Sequence, residues 1–315
     1  MTGATDLSAL FGAGEAATFL GLPACDDLAT LRADVALLGV PGATPYDGVG
    51  AYCRNGPASL RRHMSAYAAN VAHHHFDLGG AILPGGTASA ADCGDLPFSE
   101  HDFDANRARI RAAVGAIVAR GAIPLLIGGD DSIPIPMLEA LAPLGPLTIL
   151  QLDAHIDWRD SYRDEPLGLS SAMRRASEMT HVERIVQVGA RGLGSARAEE
   201  VAAAEAWGAK IVTARDYRAS GPEAVLELIP RGANVVLCFD VDVLDPAVNP
   251  AVIAPTPGGL GYDDALDLIA GTTARARIVA ADFAEFLPEA DHGRTGHVTV
   301  GALIAATLGL LARQD

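Results

Sequence analysis

Short runs of apolar residues alternate with amphipathic segments along most of the 315-residue chain. The runs are almost continuously apolar, which is typical of parallel strands that are buried on both faces. The predicted strands are residues 35–40, 123–127, 148–152, 185–188, 211–213, 235–239 and 278–281.

The segments between these runs have the hydrophobic periodicity of helices. Ile110, Val114 and Ile117, for example, recur at the spacing of one helix face. Repeated strand–helix–strand units place helices on both sides of a parallel sheet. The predicted fold class is therefore α/β, a three-layer α/β/α sandwich with a central, mostly parallel sheet. The predicted helices are residues 104–120, 133–142, 196–207, 222–228, 262–274 and a buried C-terminal helix at 298–312.

The chain shows no linker and no internal repeat, so we expect a single domain over residues 1–315. Residues 1–30 form its predicted N-terminal extension, and residues 79–91, which are rich in Gly, Pro, Ala and Ser, are predicted to be a surface loop. Half of the residues are hydrophobic and 20% are charged, which is the opposite of the balance in disordered proteins.

The formal net charge of −16 argues against nucleic acid or an anionic membrane as a partner. It is compatible with a cationic substrate or with bound metal cations. The N-terminal residues lack a signal-peptide pattern, and the longest uncharged apolar stretch is shorter than the roughly 18 to 20 residues that span a bilayer. The four cysteines are widely spaced, which favours a reducing compartment. We therefore expect a cytoplasmic protein.

Three of the predicted strands end in acidic residues. The strand at 148–152 is followed at once by Asp153, His155 and Asp157. Residues two apart point to the same side of an extended chain, so these side chains are expected to converge at the strand end. Asp240 and Asp242 follow the strand at 235–239 in the same way. The strand at 123–127 leads into Gly128-Gly129-Asp130-Asp131-Ser132.

Ligand sites of open parallel sheets lie at the carboxyl ends of the strands. Burying several carboxylates side by side costs free energy unless cations compensate for their charge. A set of oxygen ligands with a single imidazole favours a hard divalent ion such as Mn²⁺ over a structural Zn²⁺. The number of ligands exceeds what one ion needs, so two ions are predicted. The candidate ligands are Asp131, Asp153, His155, Asp157, Asp240 and Asp242.

These motifs resemble the signatures of the ureohydrolase superfamily, the arginase and agmatinase family, and most of all its bacterial agmatinase-like branch. Residues 128–132 resemble the family's Gly-Gly-Asp-His-Ser, and residues 153–157 match its Asp-Ala-His-x-Asp. Residues 238–250 resemble Ser-x-Asp-x-Asp-x-x-Asp-Pro-x-x-x-Pro, and residues 282–288 match Asp-x-x-Glu-x-x-Pro. The resemblance spans roughly residues 35 to 310 and implies the arginase-like α/β/α fold.

The resemblance implies a binuclear Mn²⁺ site, with Ni²⁺ as the alternative metal. A hydroxide that bridges the two ions would attack the guanidinium carbon of a small cationic substrate, which would release urea and an amine. The resemblance also implies a homo-oligomer, a trimer or a hexamer. By the same resemblance, Asp153 and Asp240 would bridge the two ions, and His155 and Asp242 would bind one of them. Asp157 would bind the other ion and orient the hydroxide. Glu285 would pair with the guanidinium of the substrate.

The chain departs from the family pattern at two places. Asp131 stands where the family has a histidine, and residues 164–175 lack the histidine that serves the family as a proton shuttle. The leading hypothesis is an amidinohydrolase acting on agmatine, guanidinobutyrate, or a small alkylguanidine or biguanide. The alternative is a non-catalytic subunit that supports an active paralogue in a hetero-oligomer, as in metformin hydrolase. A third hypothesis, a deacylase related to the histone deacetylases, has less support. That branch uses a pair of catalytic histidines, and no His-His pair follows a strand in the right place here.

Overall fold

The computed structural model describes residues 16–85 and 89–314. Its strands form an eight-stranded sheet in which every neighbouring pair is parallel. The strands are β1 (Val35–Val40), β2 (Ala90–Asp95), β3 (Ile123–Gly128), β4 (Leu147–Leu152), β5 (Val182–Val188), β6 (Lys210–Val212), β7 (Asn234–Asp240) and β8 (Arg277–Ala284). Their order across the sheet is β2-β1-β3-β8-β7-β4-β5-β6.

Helices cover both faces of the sheet, and each face has its own hydrophobic core. Helices α1, α6, α7, α8 and α9 contribute to one core, and α2, α3, α4 and α5 contribute to the other. The predicted three-layer α/β/α sandwich is confirmed. The helices are α1 (Gly56–Ser65), α2 (Phe103–Ala119), α3 (Pro134–Ala140), α4 (Ala172–Ala176), α5 (Ala198–Trp207), α6 (Ala214–Ser220), α7 (Pro222–Leu226), α8 (Tyr262–Arg275) and α9 (Thr295–Leu311).

The predicted strands are all present, but the sequence pattern missed β2, α1 and the short helices α4 and α6. Strand β2 begins at Ala90, inside the segment predicted to be a loop, and its second half is half-buried or exposed at the edge of the sheet. Helix α1 buries Arg61, whose Nε donates to Asp92 Oδ2 at 2.7 Å. An edge strand and a helix that buries an ion pair both lack the continuous apolar pattern of the other elements.

Part of the predicted N-terminal extension packs against the core. Phe19 and Leu22 are buried, and the Phe19 N–H donates to Asp92 Oδ2 at 2.8 Å. Residues 1–15 of that extension lie outside the described residues. Among the described residues, no helix has the length and apolar character needed to cross a membrane.

The strand order brings the acidic strand ends together. Strands β3, β8, β7 and β4 are neighbours in the middle of the sheet, and they run in the same direction. Neighbouring strands lie about 4.8 Å apart, so the four carboxyl ends span only about 15 Å. Residues that are far apart in sequence therefore meet at one edge.

Gly129 forms a tight junction at this edge. Its N–H donates to Val40 O at 2.7 Å, and its carbonyl oxygen accepts from the Glu285 N–H at 2.7 Å. A Cβ at this position would overlap the backbone carbonyl of Pro41. The close approach of three chain segments thus requires glycine here.

We expect Gly129→Ala to lower the free energy of unfolding by about 1 to 3 kcal/mol, because the backbone at Pro41 must move. Gly115→Ala is the matched control, since a Cβ there meets no atom within 4 Å and Gly115 lies inside helix α2. The Gly115→Ala control is expected to raise the free energy of unfolding by up to about 1 kcal/mol, because alanine favours a helix more than glycine does. Urea unfolding of both variants measures the difference, and equal stability of the two variants would contradict this account.

Candidate metal centre

The acidic strand ends form two clusters of ligand-type atoms that share Asp153. In the first cluster, ligand atoms of Asp153, His155, Asp240 and Asp242 all lie within 4.8 Å of one another. In the second cluster, the same holds for Asp131, Asp153 and Asp157. All six residues predicted as ligands are therefore brought together, and their binding of metal remains a prediction.

The residues after β4 reach the two clusters by a route that the sequence did not predict. Strand β4 ends at Leu152, so residues 153–157 do not continue as an extended strand. The backbone of Asp157 is left-handed, with a φ of 49°. The expected convergence of Asp153, His155 and Asp157 by strand alternation is wrong, because the chain turns after the strand. His155 and Asp157 consequently lie in different clusters.

A short 3₁₀ turn at Val241–Val243 positions the acidic residues after β7. Asp240 Oδ1 accepts from the Asp242 N–H at 2.8 Å. Asp242 Oδ1 in turn accepts from the Ala154 N–H at 3.0 Å, which connects the ends of β7 and β4. Backbone donors thus orient these two carboxylates before any ligand binds.

His155 is held between two carboxylates of the first cluster. Its Nδ1 lies 3.0 Å from Asp242 Oδ2 and 3.3 Å from Asp153 Oδ1. Burial opposes the charged imidazole, but the hydrogen bonds and charges of the two aspartates outweigh it and raise the pKa of His155 to about 12. Burial likewise opposes the ionised Asp153, but bonding to His155 lowers the pKa of Asp153 to about 2. A positive charge at this position is therefore strongly favoured.

The remaining carboxylates carry more negative charge than the surrounding residues can balance. Burial first, and then the charge of neighbouring aspartates, raises the pKa of Asp131, Asp157 and Asp240 well above the usual range. Asp131 Oδ2 is buried and has no hydrogen-bond partner among the described residues. Divalent cations would supply both the missing charge and the missing partner, so this set of donors fits metal ions.

Gln151 connects the two clusters, and the sequence analysis did not identify it. Its Nε2 donates to Asp153 Oδ2 at 2.6 Å and to Asp157 Oδ2 at 2.7 Å. Gln187 donates to the Gln151 carbonyl oxygen and accepts from Trp158 Nε1 at 2.9 Å. The available signal was a polar residue inside the buried, apolar strand β4. This chain of side chains fixes the orientation of both carboxylates.

Glu285 lies beside the clusters on a left-handed residue that follows β8, with a φ of 69°. Its Oε1 accepts from the Asp131 N–H at 2.9 Å, and its Oε2 accepts from the Tyr52 hydroxyl at 2.6 Å. Burial is the main cause that raises the pKa of Glu285 to about 8. No pattern in the sequence identified Tyr52, because it lies in an irregular loop before α1.

Both clusters open into a cavity of about 330 Å³. The aromatic side chains Tyr46, Tyr52, Trp158 and Tyr162 line its walls. Glu285 and every ligand-type residue except Asp153 also lie among its lining. Within the described part of the chain, His155 is the only histidine that lines it. A small molecule can therefore reach the clusters, and aromatic walls would surround it.

The chain is similar to known proteins over almost its whole length. The Arginase family profile matches residues 33–309. A guanidinopropionase from Pseudomonas aeruginosa is 33% identical over 304 residues, which covers 94% of this chain and 91% of that protein. An agmatinase from Pyrococcus horikoshii is 29% identical over 286 residues, which covers 89% of this chain and 93% of that protein.

A solved structure supports the fold independently. The proclavaminate amidino hydrolase from Streptomyces clavuligerus superimposes with a TM-score of 0.81 at 24% sequence identity. The superposition covers 96% of this chain and 99% of that one. The agreement of the two folds therefore extends over almost the whole length of both chains.

We expect the rise in melting temperature on adding Mn²⁺ to the metal-free protein to grow with pH between 6 and 8. At low pH, protons occupy His155 and the ligand carboxyls whose pKa is raised, those of Asp131, Asp157 and Asp240, and these protons must leave when metal binds. For each displaced proton, the stabilisation by Mn²⁺ grows by about 1.4 kcal/mol per pH unit. For a chain of this size, that raises the melting temperature by roughly 2 °C per pH unit. Scanning calorimetry with and without Mn²⁺ at matched ionic strength measures this. A gain that is independent of pH would contradict the prediction.

Proposed function

Because the chain belongs to the arginase family, we propose that it is a metal-dependent amidinohydrolase that cleaves a C–N bond of a small guanidino compound. The products are urea and an amine. The observation that carries this proposal is the sharing of Asp153 by two ligand clusters beside the buried Glu285. Relatives of the chain include enzymes named for both guanidino acids and agmatine, so the guanidino group is the common feature of the substrate class.

We propose that the two clusters hold two divalent cations and that Asp153 contributes to both. The first cluster offers three carboxylates and an imidazole, and the second offers three carboxylates. Such oxygen-rich ligation suits Mn²⁺, and Ni²⁺ is the alternative to compare. When bound, two divalent ions acidify a water molecule so that a nucleophile is available near neutral pH.

Glu285 is the proposed partner of the substrate guanidinium. A carboxylate and a guanidinium form two parallel hydrogen bonds, and this pairing would orient the guanidinium carbon toward the clusters. The hydrogen bonds from the Asp131 N–H and from Tyr52 already fix the carboxylate in one orientation. Binding therefore requires little rearrangement of Glu285.

Asp157 is the proposed proton carrier of the reaction. A proton leaves the attacking water as its oxygen bonds to the guanidinium carbon, and a proton reaches the leaving nitrogen as the C–N bond breaks. The carboxylate of Asp157 is buried in the second cluster and also lines the cavity, so it lies between the clusters and a bound substrate. It is therefore suited to accept the first proton and to return it to the amine.

The alternative function is a non-catalytic subunit in a hetero-oligomer with an active paralogue. The observation that favours it is Asp131, which stands where the family resemblance implies a histidine. Against it, Asp131 lies inside the second cluster, and its Oδ2 has no hydrogen-bond partner among the residues that the structure describes. We also propose a homo-oligomer, a trimer or a hexamer, which light scattering of the isolated chain would test.

The test of the proposed function is metal analysis combined with a urea-release screen. Purified protein loaded with Mn²⁺ or Ni²⁺ is expected to hold two ions per chain and to release urea from at least one of agmatine, 4-guanidinobutyrate and short alkylguanidines. Two ions without urea release, followed by activity when a paralogous chain is added, would support the alternative. Absence of both bound metal and urea release in the isolated chain would contradict the enzymatic function and would favour the non-catalytic subunit.

Asp240→Asn and Asp245→Asn form a matched pair within one motif. Asp240 lies in the first cluster, whereas Asp245 lies outside both clusters and accepts N–H groups of Ala247, Gly258 and Gly259. We expect Asp240→Asn to lose bound metal and to lower urea release by about 10²-fold or more, because a ligand and its charge are lost. Asp245→Asn should keep its metal. Equal metal content in the two variants would count against the ligand assignment.

Glu285→Gln is expected to keep its metal and to lower turnover by about 10²- to 10³-fold, because the charge that faces the guanidinium is lost. Glu289→Gln is the control, since Glu289 is exposed and bonds to Asn55 at 2.8 Å, away from the cavity. Metal content and initial rates of urea release are compared for both. A Glu285→Gln variant as active as the control would show that another group binds the guanidinium.

A further inference from the structure

A second cavity of about 330 Å³ is lined by helix α1 and by the start of helix α9, and it shares no lining residue with the cavity over the metal centre. Ser59, Arg62 and His63 line it from α1, where their spacing of three and four residues places them on one helix face. Arg294 and His297 line it from the start of α9. Among the described residues, no carboxylate lines this cavity, although the chain carries a net charge of −16. The cavity is therefore a local concentration of basic groups in an acidic protein.

The two arginines of this cavity are not paired within the chain. The guanidinium groups of Arg62 and Arg294 are exposed, and neither forms a hydrogen bond or an ion pair with any residue that the structure describes. Arg61, the neighbour of Arg62 in sequence, is by contrast buried and bonded to Asp92. A free guanidinium offers a planar set of N–H donors that matches the oxygens of a phosphate or a carboxylate. Both arginines are thus available to a ligand.

His63 adds a buried nitrogen to the same cavity. Its Nε2 has no hydrogen-bond partner in the described part of the chain, and its ring lies 5.3 Å from the ring of His297. Burial first, and then the positive charges of His297 and Arg294, lower the pKa of His63 to about 4. A further positive charge is therefore opposed here. A bound anion would remove this opposition and would give Nε2 a partner.

His297 is held in one orientation by groups on both sides of its ring. Its Nδ1 bonds to Asp291 Oδ2, and its Nε2 lies 2.7 Å from Ser59 Oγ. Asp291 also accepts from the N–H groups of Gly296 at 3.0 Å and of His297 at 2.8 Å. Serine, histidine and aspartate have the connectivity of a hydrolase triad, but the Ser59 N–H donates to Asn55 O at 3.0 Å and cannot serve a developing oxyanion. We therefore interpret the three residues as a fixed wall of a binding site.

We propose that this cavity binds the phosphate group of a small anionic molecule. The several oxygens of a phosphate can bond to Arg62, Arg294 and His63 at once, whereas the two oxygens of a carboxylate are satisfied by one guanidinium. The volume of the cavity lies at the lower end of the range of small-molecule sites, about 300 to 1,000 Å³, which leaves room for more than the phosphate itself. This inference is independent of the proposed function.

Calorimetric titration of the Mn²⁺-loaded protein with glycerol 3-phosphate and with inorganic phosphate tests the proposal. Each of Arg62→Gln and Arg294→Gln is expected to weaken the binding of both probes by about 10- to 100-fold, because charge-assisted hydrogen bonds are lost. Tighter binding of the ester would identify a phosphorylated metabolite as the ligand, and tighter binding of inorganic phosphate would identify the free ion. Acetate at the same ionic strength should bind more weakly than either probe.

Arg231→Gln is the matched control, since Arg231 is also exposed but lines neither cavity. It is expected to bind both probes as the wild type does. Both arginines of the cavity are free of bonds to the described residues, so their replacement should leave the melting temperature of the ligand-free protein unchanged. Phosphate that bound the metal ions instead would bind equally to the wild type and to both variants. That result, or the absence of binding of both probes to the wild type, would overturn the inference.

Discussion

Buried negative charge at one edge of the sheet is the constraint on which the rest of the structure depends. Eight carboxylates are buried there, and His155 lies between two of them. Even Asp282, which belongs to neither cluster, has its pKa raised to about 7 by burial. Such a group is stable only when protons or cations share the space. The eight are Asp130, Asp131, Asp153, Asp157, Asp240, Asp242, Asp282 and Glu285.

The remainder of the fold serves to hold these charges in place. Parallel strands in the middle of the sheet deliver the acidic residues to one edge, and backbone N–H groups orient Asp240, Asp242 and Glu285. Gln151 joins Asp153 to Asp157 from below. Because the orienting groups come from the backbone or from buried amides, the arrangement is rigid before a ligand arrives. Rigid preorganisation of this kind is what electrostatic catalysis requires.

The sequence predicted the elements with continuous apolar runs, the sandwich fold and the family, and these predictions are confirmed. The sequence also identified the residues that the structure assembles into two clusters. Acidic residues directly after buried strands cost folding free energy unless a bound cation compensates for their charge, so their presence indicates a ligand site. The sequence did not reveal that the chain turns between the end of β4 and Asp157. A left-handed backbone conformation cannot be recognised from the sequence when the residue is not glycine. Tyr52 was missed because a side chain's position in a cavity wall depends on loops, and only the structure reveals its hydrogen bond to Glu285.

The left-handed backbone at Asp157 and Glu285 has a consequence for how the chain responds to mutation. A residue with a Cβ in this conformation costs on the order of 1 kcal/mol, which glycine would not pay. Replacing either side chain by glycine would remove that strain together with a buried carboxylate. Selection for thermal stability alone would therefore favour loss of these two residues. Both acids therefore occupy their positions at the expense of folding free energy, as is typical of residues placed for function rather than for stability.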